Sequence, residues 1–186
     1  MSPQGALRAR PQVLLSGLAY LESPRWHEDR LWFAHWGTGE IVAVGLDGAS
    51  EVMGHGPTGF GWSIGWLPEG RLLVTGAGLL RREPDGSMAE DWNELVVDGR
   101  GNIYVNGRCD FDPEGDPPGI IALVTPDGAV RQVAEAIAFP NGMVVTPDGE
   151  TLIVAESFAG RLTAFDIAAD GSLANRRVWA DLPGAA

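Results

Sequence analysis

An all-β fold built from repeated antiparallel four-stranded units is what this sequence predicts, and three observations predict it. Turn dipeptides recur along the whole length, at Asp47-Gly48, Glu69-Gly70, Asp85-Gly86, Asp127-Gly128, Asp148-Gly149 and Asp170-Gly171. Between them lie short runs rich in Leu, Ile and Val ("RLLVTG", "NIYVNG", "IIALVT", "TLIVAES") with the length and composition of hairpin strands. No segment sustains the 3.6-residue apolar period of a capped helix, and "RQVAEAIAF" has room for one helical turn at most.

The turn-and-strand unit repeats at long range. Four runs of one form begin at Arg30 ("RLWFAHW"), Arg71 ("RLLVTG"), Asn102 ("NIYVNG") and Thr151 ("TLIVAES"). A four-stranded propeller blade takes about 40–45 residues, and the average spacing of these starts is close to that. The repeat predicts four blades, over 18–56, 57–92, 93–139 and 140–186. Four is the smallest number of blades in a closed propeller. A β-sandwich is the competing architecture, but it leaves the fourfold recurrence unexplained.

Composition narrows the function. At 186 residues and 45% hydrophobic content the chain can build one core and is not a disordered tract. No apolar run reaches membrane-spanning length. The net charge is −12 and there is no lysine. Such a surface repels phosphate backbones, which argues against nucleic acid as a partner, and Schiff-base catalysis is excluded. The single cysteine, Cys109, cannot form an intramolecular disulfide, and no cleavage site follows the short apolar run after Arg8 and Arg10. Both point to a cytoplasmic location.

Counting back from each repeated strand to the strand before it, the innermost of its blade, gives four equivalent positions. They hold Glu22 in "LESPRW", Ser63 in "GFGWSIGW", Asn93 in "DWNELVV" and Asn141 in "FPNGMVV". The start of an innermost strand faces the channel mouth, so a carboxylate and two amides are expected to converge there. Carboxylate and amide oxygens are what a hard divalent cation takes. Each residue has a plainer reading alone: a Glu before Ser-Pro is commonly a solvated loop residue, Asn93 can merely open a strand, and Asn-Gly is a hairpin signal. Met143–Val145, however, already has a partner strand across Pro147-Asp148-Gly149, which moves Asn141 to a blade junction.

At these residues the chain resembles the senescence-marker-protein/gluconolactonase/luciferin-regenerating-enzyme family of six-bladed propellers. The matching stretches are "GLAYLESPRWHEDRLWFAHW", "WNELVVDGRGNIYVNG", "FPNGMVVTPDGETLIVAES" and "GRLTAFDIAADGSLANRRVWADL". The resemblance implies hydrolysis of a small-molecule lactone with one divalent cation in the channel mouth. Calcium is the first choice; zinc, magnesium and manganese are the others. By position it implies Glu22 and Asn141 as metal ligands and Asn93 as the residue facing substrate or a metal-bound water. Two departures matter. Asp91 stands where sugar-lactone members carry Arg, and the family's third ligand and general base, an Asp of the next blade, would fall beyond Ala186.

The chain therefore looks like the first four of six blades, residues 17–186, preceded by a segment, 1–16, that would complete the last blade. Weak metal binding and little activity are expected of it alone, with self-association through uncovered blade edges. A non-catalytic binding scaffold is the rival function. "GWSIG" matches a nucleophile elbow but lacks the helix that motif needs, and "DFDPEGD" lacks the closing Glu of a calcium loop. His27, His35 and His55 are expected in surface or turn positions, and Trp26, Trp32 and Trp66 between blades. Trp62 and Trp92 flank the site positions and are expected in core packing.

Overall fold

The structure, a computed structural model, describes residues 12–75, 81–82, 88–89, 92–107 and 119–182. Its first sheet runs β1 (Leu21–His27), β2 (Arg30–His35), β3 (Glu40–Val44) and β4 (Ser50–His55). A second unit consists of two hairpins, β5 (Ile64–Trp66) with β6 (Leu72–Val74) and β7 (Arg81–Arg82) with β8 (Met88–Ala89). The third sheet runs β9 (Trp92–Val97), β10 (Ile103–Gly107), β11 (Gly119–Val124) and β12 (Val130–Ile137). The fourth runs β13 (Pro140–Val145), β14 (Thr151–Glu156), β15 (Arg161–Ile167) and β16 (Leu173–Asp181). All pairings are antiparallel. The first strands of successive units lie side by side, β1 against β5, β5 against β9 and β9 against β13, as blades around an axis require.

The turns follow the glycines. Gly48, Gly70, Gly128, Gly149 and Gly171 all take left-handed φ values, between 73° and 86°, at the tips of their hairpins. Asp148 shows how such a turn closes: its Oδ1 accepts from the Thr146 hydroxyl at 2.6 Å and the Glu150 amide at 3.0 Å. The segment given room for a helical turn is strand β12 instead, because pairing with β11 satisfies its backbone. The one helical piece among the described residues is a 3₁₀ turn at Ser157–Ala159, and no described helix is long and apolar enough to cross a membrane.

The core lies between blades, where alternate strand residues of one sheet meet the next. Trp32, Ala34 and Ile41 pack on Trp62 and Ile64; Leu73 packs against Leu95, Val105 and Ala122; Tyr104, Ile121 and Leu123 meet Leu152, Val154 and Phe165. Trp66 joins the first of these clusters, whereas Trp26 is 57% exposed on the outward side of β1. His35 departs from its expected surface position. It is buried, its Nε2 accepting from the Ala19 amide at 3.3 Å and its Nδ1 lying 2.9 Å from the Thr38 hydroxyl, so a polar ring is accommodated by partners. Residues 12–20 form no strand; Leu15 and Leu18 cover Phe33, Val42 and Val44 on the outer face of the first blade.

One buried hydroxyl ties the third and fourth blades together. The Tyr104 hydroxyl donates to the Gly171 carbonyl at 3.0 Å, and burial, helped by the nearby Asp98 charge, pushes that phenol up to about 12. Tyr104→Phe leaves the carbonyl without its donor and is expected to cost about 1–2 kcal/mol, measured by denaturant unfolding. A cost near zero would show that the carbonyl finds water instead.

Candidate functional site

Strand register places the predicted residues at one level. Leu21, Trp92 and Pro140 each oppose the last residue of the neighbouring strand, His35, Gly107 and Glu156. Glu22, Asn93 and Asn141 come next. In all three strands the register slips by one residue just there, within Glu22–Arg25, Trp92–Leu95 and Pro140–Met143. Such bulges re-aim side chains and interrupt the alternation of faces. In the second blade Ser63 lies one residue before β5, opposite Thr75 just past the end of β6, and no slip follows it.

The backbone entering the first and fourth strands is also alike. Tyr20 and Phe139, each two residues before its site residue, have left-handed φ values of 57° and 55°. Each carbonyl accepts from the residue after the second strand, Tyr20 from Trp36 at 3.0 Å and Phe139 from Ser157 at 3.1 Å. Their rings meet Phe60 edge-on and Phe158 face-on, at 5.1 and 4.5 Å. Left-handed aromatics are strained, and a structure retains them where neighbours over-determine the conformation.

Polar side chains stitch the inner strands together. The Ser23 hydroxyl lies between the amide and carbonyl of Ile64, accepting at 2.9 Å and donating at 3.1 Å. Ser63 Oγ accepts from the Leu95 amide at 2.9 Å. Asn106 Nδ2 donates to the Asn141 carbonyl at 2.7 Å, and Asn93 Nδ2 to that of Pro140 at 3.4 Å. Ser63 is therefore a structural hydroxyl. The strand Ile64–Trp66 follows it where an elbow would need a helix, so "GWSIG" is no nucleophile elbow.

Of the three predicted residues, Asn93 and Asn141 sit on adjacent strands. Among the described residues the Asn141 side-chain amide makes one hydrogen bond, a long 3.5 Å donation to Ser157 Oγ. Glu22, on the first blade, faces a carboxylate that sequence reasoning did not single out. Glu94 is buried, and Arg25 Nη2 reaches it across 69 residues of sequence at 2.8 Å. Burial pushes the Glu22 carboxyl up, and the Glu94 charge adds to this. Burial also pushes Glu94 up, opposed by Arg25 and by the hydroxyls of Ser23 and Ser63. Nothing in the sequence signals Glu94, because strand alternation would turn it away from the face that carries Asn93.

Glu22, Arg25 and Glu94 edge a cleft of about 230 Å³ together with Met143, Val144 and Ile153; Asn93 and Asn141 lie next to its lining residues in sequence but do not line it. A mostly apolar cleft with a few convergent polar groups is the usual form of a small-ligand site. The carboxylate pair there suits a hard divalent cation: two carboxyls whose ionisation is resisted, and one buried carboxylate oxygen, Glu94 Oε1, without a hydrogen-bond partner. It is only part of a shell. Among the described residues no three of His, Cys, Asp and Glu gather into a cage. Asp91, Cys109 and the "DFDPEGD" loop lie outside the described residues.

Comparison with known proteins agrees with this architecture. The chain is 29% identical over 117 residues to diisopropyl-fluorophosphatase of Loligo vulgaris, a match covering 57% of this chain and 37% of that protein. Among solved structures, a gluconolactonase of Xanthomonas campestris superposes with a TM-score of 0.68 at 24% identity, over 91% of this chain and 65% of that one. A luciferin-regenerating enzyme gives 0.70 at 18% identity, over 90% and 62%. Regucalcin of Agrobacterium tumefaciens, described as a calcium-binding protein, gives 0.65 at 20% identity, over 92% and 63%. The chain thus spans just over a third of the curated relative and under two thirds of these structures, whose likeness shows the fold. The model of the SMP-30/Gluconolactonase/LRE-like region matches residues 22–186, and the chain belongs to that family.

Proposed function

We propose that this chain carries the cation-binding and substrate-facing part of a metal-dependent hydrolase of the sugar-lactone type. The observation that supports it is the shared register of Glu22, Asn93 and Asn141 at inner-strand bulges. A scaffold that only bound a protein partner would have no use for that register. The family setting agrees, since the fluorophosphatase and the gluconolactonase are hydrolases by name and the regucalcin a calcium-binding protein.

In this reading Glu22 and Asn141 hold the cation, with calcium the first choice. When bound, the cation supplies electrophilic polarisation of a lactone carbonyl and a lowered pKa for water. Asn93, steadied through Nδ2 by the Pro140 carbonyl, orients the substrate oxygen, and the apolar wall of Met143 and Val144 excludes bulk water from the ring. Hydrolysis adds the water oxygen to the carbonyl carbon, breaks the ring C–O bond and delivers the water proton to the departing alkoxide. A general base must take that proton first.

The test is a panel of γ- and δ-lactones, with diisopropyl fluorophosphate added because the curated relative is named for it, assayed with calcium and after chelation. Hydrolysis is expected to be slow, calcium-dependent and reduced at least tenfold by Asn141→Ala. Hydrolysis that survives chelation and the substitution would overturn the reading.

A further inference from the structure

Glu94 has no part in that reading, yet its surroundings are those of a ligand. Its side chain is 4% exposed, and Arg25 holds Oε2 at 2.8 Å. The same arginine nitrogen donates to the Leu95 carbonyl at 2.7 Å, so the clamp is anchored on the backbone of the strand that carries Glu94. The other oxygen, Oε1, is buried without a hydrogen-bond partner. Of the two hydroxyls beside the carboxylate, Ser23 bridges the amide and carbonyl of Ile64, and Ser63 Oγ accepts from the Leu95 amide.

An orphaned buried carboxylate oxygen is costly, and native structures keep one where something outside the chain satisfies it. Charge decides what that something is. Glu22 and Glu94 edge the same cleft and Arg25 neutralises one of them, leaving a net negative charge. An anion would be repelled. A water would satisfy Oε1 but leave the charge unanswered. A hard cation does both. We propose that Glu94 is an additional ligand for the divalent cation, its free oxygen presented to the cleft beside Glu22 by the Arg25 clamp. The proposal rests on the cation reading of the site. It gives the chain a second carboxylate of its own.

Terbium(III) luminescence, sensitised by tryptophan and displaced by calcium, reads affinity without any need for turnover. Trp92 lies two residues from Glu94. Glu94→Gln is expected to weaken calcium at least tenfold, with Glu22→Gln as a parallel. Calcium affinity within twofold of the parent for Glu94→Gln, while Glu22→Gln weakens it, would overturn this inference alone and leave Glu94 as a partner of Arg25. No calcium-displaceable terbium signal in the parent would overturn the cation reading itself. Should Glu94→Gln fail to fold, Glu94→Asp keeps the charge and draws the carboxylate back by one methylene. It is expected to weaken calcium at least threefold, and an unchanged affinity would overturn the inference.

Discussion

Replacing Glu156 with glutamine is expected to cost about 2–3 kcal/mol at pH 7, lowering the melting temperature by roughly 5–10 °C. Its side chain is fully buried. It accepts from Arg161 Nε at 3.1 Å, Arg176 Nη2 at 3.1 Å, the Ala138 amide at 2.9 Å and the Thr163 hydroxyl. Arg176 also donates to the Ala136 carbonyl at 2.9 Å, so the cluster ties β16 to the end of β12. Removing the charge strands two guanidinium groups, but each is about one third exposed, which keeps the loss below that of a wholly buried pair. The sign of the pH dependence follows. Burial pushes the Glu156 carboxyl up, but the bonds from Arg161, Thr163, Ala138 and Arg176 outweigh it and bring it from 4.5 to about 2. A depressed carboxylate stabilises the fold fully above its unfolded value and loses that contribution as pH falls through the folded one. The gap between parent and variant is therefore expected to hold above pH 4.5 and close towards pH 2, in urea titrations at each pH. Glu22 and Glu94, shifted upward, act in the opposite sense but are common to both proteins. A gap that persists at pH 2 would show that packing, not charge, is the source.

Local chemistry was legible in the sequence where one short stretch decides the geometry. The Asp-Gly turns and the strands between them could be read because a left-handed glycine and a β-branched run need no distant partner. Even the shared level of Glu22, Asn93 and Asn141 could be counted, since innermost strands of similar length precede turns of similar length. The bulges could not, because a slipped register depends on which residue of the partner strand is met. Glu94 and Arg25 were invisible for a related reason. Their bond spans two blades, and neither residue's neighbours in sequence differ from those of an ordinary strand. The same holds for His35, whose burial is decided by Ala19 and Thr38. Trp26 was misplaced because aromatic size alone does not say which side of a bulged strand a residue faces.

Leu95→Ala is expected to destabilise the chain by about 3–4 kcal/mol, the usual range for a buried leucine, and the glycine facing it makes the explanation testable. Leu95 is fully buried, on the strand between Glu94 and the interblade core. A Cβ built on Gly65 would lie 2.4 Å from Leu95 Cδ1 and 3.8 Å from Val97 Cγ2, so a larger residue there must displace the end of the Leu95 side chain. In the parent, Gly65→Ala is overpacking and should cost about 1–3 kcal/mol. In the Leu95→Ala background the added methyl enters the space the leucine left, and its cost should vanish or turn into a small gain. The double-mutant cycle then gives a coupling of at least about 1 kcal/mol between the two residues. Additive costs would mean that the close approach is relieved by a rotamer change of Leu95. The consequence reaches the cleft. The Leu95 amide and carbonyl are the anchors of Ser63 and of Arg25, and Arg25 holds Glu94. If β9 shifts in Gly65→Ala, calcium affinity should fall with stability, and the compensated double variant should recover both together.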